Sequence, residues 1–208
     1  MSSDRKPHTH AAIWLAIIAC SSLANALTIQ DHLMAKGFKS GRGAGASVDT
    51  IVLHFSSDVG ADEKNPYDVD SVIKLYADYN SSAHYLIGRE GKIYRLVKET
   101  DTANHAGKGV WGNRTNTLNN YSIGIGTFEE MHAMLQDKMT QADYDSIPKK
   151  HLGFTDAQYS ALKELIADIR SRHPNIKNDR QHIIGHHQYA PSRRPDPGDL
   201  FRWDKIGL

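Results

Sequence analysis

At 208 residues the chain is long enough for one domain and a short extension. Its 25 Lys and Arg nearly balance 24 Asp and Glu, which gives no support to nucleic acid or another polyanion as a partner. Hydrophobic residues at 39% suffice for a core, and the single cysteine, Cys20, rules out an intramolecular disulfide and a Cys-rich zinc site, so any metal must be held by histidine and carboxylate.

Residues 1–26 read as an export signal. Arg5 and Lys6 precede the apolar run Ala11–Cys20, which is followed by Ser21 and Ser22 and is too short to anchor stably across a bilayer. Ala24-Asn25-Ala26 offers cleavage after Ala26. Ile17-Ile18-Ala19-Cys20 resembles a bacterial lipobox, and the position of the only cysteine favours a lipid anchor at Cys20. Either route sends the mature protein to the cell envelope or periplasm. Residues 27–47, with the Gly- and Ser-rich stretch Lys36–Ser47, are expected to form a flexible lead-in to a domain spanning 48–208.

Thr50–His54 is a compact, β-branched apolar run, a buried strand expected to end on His54. Asp70–Tyr79 places apolar residues at 72, 73, 75, 76 and 79, a helical face with Asp70 as cap. Ser82–Gly88 and Lys92–Val97 flank Arg89-Glu90-Gly91 as a hairpin, with His84 and Tyr85 on opposite faces, one toward a cleft and one toward the core. Asn104–Gly109 is a loop whose glycines let the backbone approach a ligand at His105; an ordinary surface loop explains it equally. Tyr121–Ile125 is a strand in which Gly124 marks a close approach.

Residues 128–153 form a polar connection. Thr155–His173 is the clearest helix, with one face of Tyr159, Leu162, Leu165, Ile166 and Ile169. A short strand at Ile183 and Ile184 then delivers His186 and His187 into a turn-rich loop, where Asp196 is stiffened by a proline on each side. A histidine at a strand end and a rigid carboxylate suit a zinc site with N and O ligands, although a His-rich surface turn would look the same, and a third ligand has to come from elsewhere. Phe201 and Trp203 close the domain. Strands interleaved with helices give the expected fold class: α/β, a single domain with a mixed central sheet flanked by helices.

His54, SAHYLIGREGKIYRLV, NHAGKG, NNYSIGI and GHHQYAPSRRPDPGDLFRW occur in this order. Together they resemble the zinc-dependent N-acetylmuramoyl-L-alanine amidases of the amidase-2 group, whose fold is shared with phage amidase-type lysozymes and peptidoglycan recognition proteins. The resemblance covers roughly residues 48–204. It implies one zinc held by His54, His186 and Asp196, with the fourth position left for water, as in a catalytic site. It implies cleavage of the amide joining N-acetylmuramic acid to L-alanine, in peptidoglycan or muropeptides; the chain itself is expected to be a monomer. It also implies substrate contacts at Tyr85, His105 and Asn120. Two residues depart from the family pattern. Arg194 replaces the usual lysine and keeps the positive charge for an anionic intermediate. Gly126 stands where the family carries a general-base glutamate, a role worth about 10²–10⁴-fold in rate. Glu129 and Glu130 follow, and Glu130 has the strand parity of Gly126 if the strand runs on. Restoring the acid by Gly126→Glu is therefore expected to raise activity at least about tenfold. Gly126 also admits an alternative, a peptidoglycan-binding protein of the same fold with little or no turnover. A zinc peptidase on other substrates is disfavoured by the absence of a helical HExxH.

Overall fold

The computed structural model describes residues 27–58, 65, 67–129, 140, 142, 145 and 152–208. Residues 1–26, including Cys20 and both processing sites, lie outside the described residues, as does most of the 128–153 connection. The expected α/β fold is present. Strands β1 (Ile29–Asp31), β3 (Thr50–Ser56), β4 (Tyr85–Ile87), β5 (Ile93–Arg95), β9 (Ser122–Phe128) and β10 (Ile183–Gly185) form a six-stranded sheet in the order β1-β5-β4-β9-β3-β10. All pairs are parallel except the β4–β5 hairpin, so the sheet is mixed.

The period-two alternation of the strands sorts the side chains onto two faces. Ile51 and Leu53 of β3, Ile123 and Ile125 of β9, and Tyr85 and Ile87 of β4 face one side. There they meet Tyr159, Leu162, Leu165, Ile166 and Ile169 of helix α2 (Asp156–Arg172), the apolar stripe legible in the sequence, and Phe201 with Trp203. Thr155 caps α2 through a reciprocal pairing with Gln158. The opposite face is divided. Leu86 and Phe128 lie under Val72 of helix α1 (Val69–Asp78), while Val52 and Ile184 lie under Ala106, Leu118 and Tyr189. Between these two apolar patches the sheet carries His54, Gly124 and Gly126, and this gap becomes the site. Parallel register sets His54 opposite Gly126 and Val52 opposite both Gly124 and Ile184.

Several boundaries differ from the sequence reading. Strand β3 runs on to Ser56, so His54 lies inside the strand and not at its end. The N-cap of α1 is Asp68, which accepts from the Ser71 amide at 2.8 Å; Asp70 lies in the first turn, where it complements the helix dipole. Residues 27–47 are tied into the domain instead of forming a loose lead-in. β1 joins the main sheet, and β2 (Phe38–Lys39) pairs with β6 (Thr102–Ala103). β7 (Val110–Trp111) and β8 (Arg114–Thr115) add a small hairpin that the sequence did not signal.

One side chain anchors the N-terminal segment. The Arg42 guanidinium donates to the carbonyls of Glu99 (2.8 Å), Asn119 (3.2 Å), Asn120 (3.1 Å) and Ser122 (3.2 Å). Removing it leaves those acceptors without their donor. Arg42→Ala is expected to lower unfolding free energy by on the order of 3 kcal/mol in urea titration, with Arg42→Lys intermediate. Equal stability of the three proteins would show that the clamp contributes nothing.

Candidate metal centre

His54 projects from the middle of the divided face. β10 lies beside β3, and the chain turns directly from its last residue into a short helix, α3 (His186–Tyr189). His186 is the first residue of that helix. It therefore arrives at the carboxyl end of a parallel strand next to His54, where open α/β sheets place their ligands. The two imidazoles meet edge to face with centroids 4.6 Å apart. The sequence had placed His186 and His187 in a loop; as helix neighbours they point apart and take different tasks. His187 donates from its backbone amide (3.0 Å) and from Nδ1 (3.1 Å) to the Asp196 carbonyl. That double grip draws the proline-rich segment back so that the Asp196 carboxylate returns to His186.

His54, His186 and Asp196, all buried, are the one group of three metal-competent side chains among the described residues, with candidate ligand atoms within 4.8 Å of one another. Asp196 Oδ2 lies 2.6 Å from His54 Nδ1 and 3.0 Å from His186 Nδ1. His186 Nε2 is 2.7 Å from the Ala106 carbonyl. A carbonyl only accepts, so the ring proton sits on Nε2 and Nδ1 presents a bare lone pair to the carboxylate. Burial holds the His54 imidazole below its ordinary value, reinforced by His186 and opposed by Asp196. Burial alone would raise the Asp196 carboxyl, but its close approach to His186 and His54 outweighs burial and keeps it below the usual carboxylate range. Nitrogen lone pairs converging on an ionised carboxylate oxygen repel unless positive charge lies among them. The donor set therefore fits a cation with N and O ligands, the chemistry of zinc.

A cleft of about 220 Å³ opens over this group, lined also by Phe55, Leu75, Tyr76, Ala83, His105 and Arg194. Arg194 and His105 thus line the cleft over the triad. Tyr85 does not. It lies on the α2 face, its hydroxyl donates to Glu99 at 2.6 Å, and it lines a separate cavity with Arg95 and Arg172. His84, on the other face, is the member of that pair near the site, its ring 5.8 Å from that of His105. Asn120 sits behind the site, its carbonyl taken by Arg42 and its side chain 3.5 Å from the Thr102 hydroxyl. Glu130 lies outside the described residues. Tyr76, read in the sequence only as part of an apolar helix face, is a cleft residue that pattern reasoning missed.

Glu129 can be placed. Its Oε1 accepts from the Gly153 amide at 3.2 Å, and Tyr159 of α2 lies near enough to feel its charge, so it belongs to the α2 face and points away from the triad. Burial pushes its carboxyl up to about 7, against the Gly153 amide and Arg89. Gly126 has no spare room. A Cβ there would lie 2.8 Å from Ser56 Oγ, 2.9 Å from the Tyr76 hydroxyl and 3.1 Å from Leu86 Cδ1. The hydrogen-bonded Ser56 and Tyr76 hydroxyls fill the space that a longer side chain would enter.

The family model described as N-acetylmuramoyl-L-alanine amidase matches residues 44–199. The chain is 31% identical over 166 residues to N-acetylmuramoyl-L-alanine amidase AmiD of Escherichia coli, covering 76% of this chain and 52% of that protein. It is 36% identical over 124 residues to 1,6-anhydro-N-acetylmuramyl-L-alanine amidase AmpD of Haemophilus influenzae, covering 60% of this chain and 55% of that protein. The chain thus spans about half the length of these curated relatives. The solved complex of E. coli AmiD with the substrate anhydro-N-acetylmuramic acid-L-Ala-D-gamma-Glu-L-Lys superposes with a TM-score of 0.59 at 29% identity, covering 79% of this chain and 59% of that one.

Two outcomes follow from the positions of the glutamate and the glycine. The folded-state value of Glu129 lies above its unfolded value, so its contribution to stability is full below about pH 4.5 and is lost as pH rises through about 7. Glu129→Gln should match the parent protein at low pH and exceed it by on the order of 3 kcal/mol above pH 8 in denaturant titrations. A constant difference at every pH would contradict this. Gly126→Glu, whatever it does to activity, should destabilise by about 1–3 kcal/mol through overpacking. The double variant with Tyr76→Phe should recover part of that loss, and strict additivity would show that the two sites do not compete for space.

Proposed function

This chain belongs to the N-acetylmuramoyl-L-alanine amidase family, and on that premise we propose that it is a zinc hydrolase cleaving the amide between N-acetylmuramic acid and L-alanine in peptidoglycan or muropeptides. One observation carries the reading: His54 Nδ1 and His186 Nδ1 meet at Asp196 Oδ2 on the floor of a cleft whose wall bears Arg194. His54, His186 and Asp196 would hold one zinc and leave a fourth position open. Bound there, zinc supplies Lewis-acid polarisation of a carbonyl and a water acidic enough to react at neutral pH.

The chain's own groups do the rest. The Ala106 carbonyl and the backbone grip of His187 fix the orientation of His186 and Asp196 before substrate arrives. The Arg194 guanidinium places positive charge where the carbonyl oxygen becomes anionic, and the walls of Phe55, Leu75 and Ala83 limit competing water. Glu129 faces away from the triad, so we assign the accepting of the water proton to Glu130, the acid that follows it in the sequence. Tyr85 and Asn120, which do not line the cleft, receive no part. We place the protein in the cell envelope, exported through residues 1–26 and held by lipid at Cys20. Names of relatives that specify a 1,6-anhydro sugar make anhydro-muropeptides the first fragments to assay beside intact wall. Gly126 favours one second reading, binding of the same ligand without turnover.

Incubating the purified protein with muropeptides and analysing the mixture by mass spectrometry separates the two. Turnover releases free stem peptide and a peptide-free sugar, with about one zinc per chain, and His54→Ala and Asp196→Ala lose both metal and product. Unchanged muropeptides recovered bound to a zinc-loaded protein would establish the binding reading, and zinc-free parent protein would remove the hydrolase.

A further inference from the structure

The tautomer of His54 is set from the far end of a buried polar chain. His54 Nε2 lies 3.0 Å from His105 Nδ1. His105 Nε2 lies 3.2 Å from Ser122 Oγ, and the Ser122 hydroxyl donates to the Leu118 carbonyl at 2.7 Å. The carbonyl can only accept, which commits the hydroxyl proton to it. Ser122 Oγ is then left to accept, and His105 must donate to it from Nε2. A neutral imidazole carries one proton, so His105 Nδ1 is an acceptor and His54 must donate from Nε2. His54 Nδ1 is thereby left as a lone pair, 2.6 Å from Asp196 Oδ2.

The His105 ring has no freedom to do otherwise. Its backbone amide and that of Ala106 are held by Asn119 Oδ1 at 3.3 and 2.8 Å. The ring lies against Gly124, where a Cβ would come within 2.5 Å of His105 Cγ, so only glycine lets it settle on the sheet. Both ring nitrogens are occupied, which leaves neither for a substrate.

We propose that His105, Ser122 and the Leu118 carbonyl form a one-directional relay that holds His54 with Nδ1 bare and aimed at the metal position, and that His105 is a positioning residue and not a substrate contact. The proposal rests on the zinc reading above and accounts for the arm of the triad that Ala106 does not orient. Hydrogen-bond partners of metal-binding histidines fix ring and tautomer, and their loss typically costs about 10–100-fold in metal affinity.

The test measures zinc affinity by competition with a chromogenic chelator for the full chain, His105→Ala, His105→Asn and Ser122→Ala, with thermal melts of the metal-free proteins as a folding control. Histidine ¹⁵N NMR of the metal-free protein reads the His54 proton directly. His105→Ala and Ser122→Ala should each bind zinc about 10–100-fold more weakly. His105→Asn, whose amide oxygen replaces the Nδ1 acceptor, should regain most of the loss, and NMR should find the His54 proton on Nε2. Ser122→Ala changes little volume and serves if His105→Ala does not fold. Unweakened binding in the folded variants, or a His54 proton on Nδ1, overturns the relay. If the parent protein binds no zinc, the hydrolase reading fails and the NMR result alone decides the relay.

Discussion

Mutual repulsion among buried lone pairs is the constraint around which this molecule is arranged. Two imidazole nitrogens are brought within 2.6 and 3.0 Å of one carboxylate oxygen in a place with little water to screen them. Such a cluster is costly unless a cation completes it, because burying uncompensated charge is among the more expensive things a fold can do. Parallel pairing of β3 with β10 delivers the two histidines side by side, and the His187 grip on the Asp196 carbonyl brings back the acid. The fold therefore spends rigidity on a metal-sized position, and each ring is turned toward it by an acceptor on the Nε2 side.

Glycine does on this sheet what bulk does elsewhere. Gly124 and Gly126 occupy the face that carries the site, between two apolar patches that cover the rest of it. Gly124 admits the His105 ring. Gly126 admits the Tyr76 and Ser56 hydroxyls, so the position where the family pattern carries an acid is already filled by a packed pair from α1 and β3. An acid placed there would have to displace those hydroxyls.

How much of this was legible in the sequence follows from the range of each interaction. Apolar runs and the α2 stripe are local, and they made most of the sheet, the main helices and the fold class readable with boundary shifts of up to three residues. His54 is 142 residues from Asp196, and no local pattern joins them. Residue-level reasoning reached a histidine and a carboxylate and stopped one ligand short; the ordered family motifs supplied the third. The anchoring of residues 27–47 was hidden because Gly-rich composition suggests freedom, while the pairing of β1 and β2 and the Arg42 clamp remove it. His105 and Tyr76 were visible as residues, but their tasks depend on what faces them across the sheet. Glu129 was a plausible base until strand parity turned it toward α2.

The most direct test of the central claim is zinc K-edge X-ray absorption on the metal-loaded full chain. Two imidazole nitrogens and oxygen donors at about 2.0–2.2 Å, in a four-coordinate shell, are what the convergence of His54, His186 and Asp196 predicts. A shell without imidazole, or one that is unchanged in His54→Ala, would place the metal elsewhere and contradict the account.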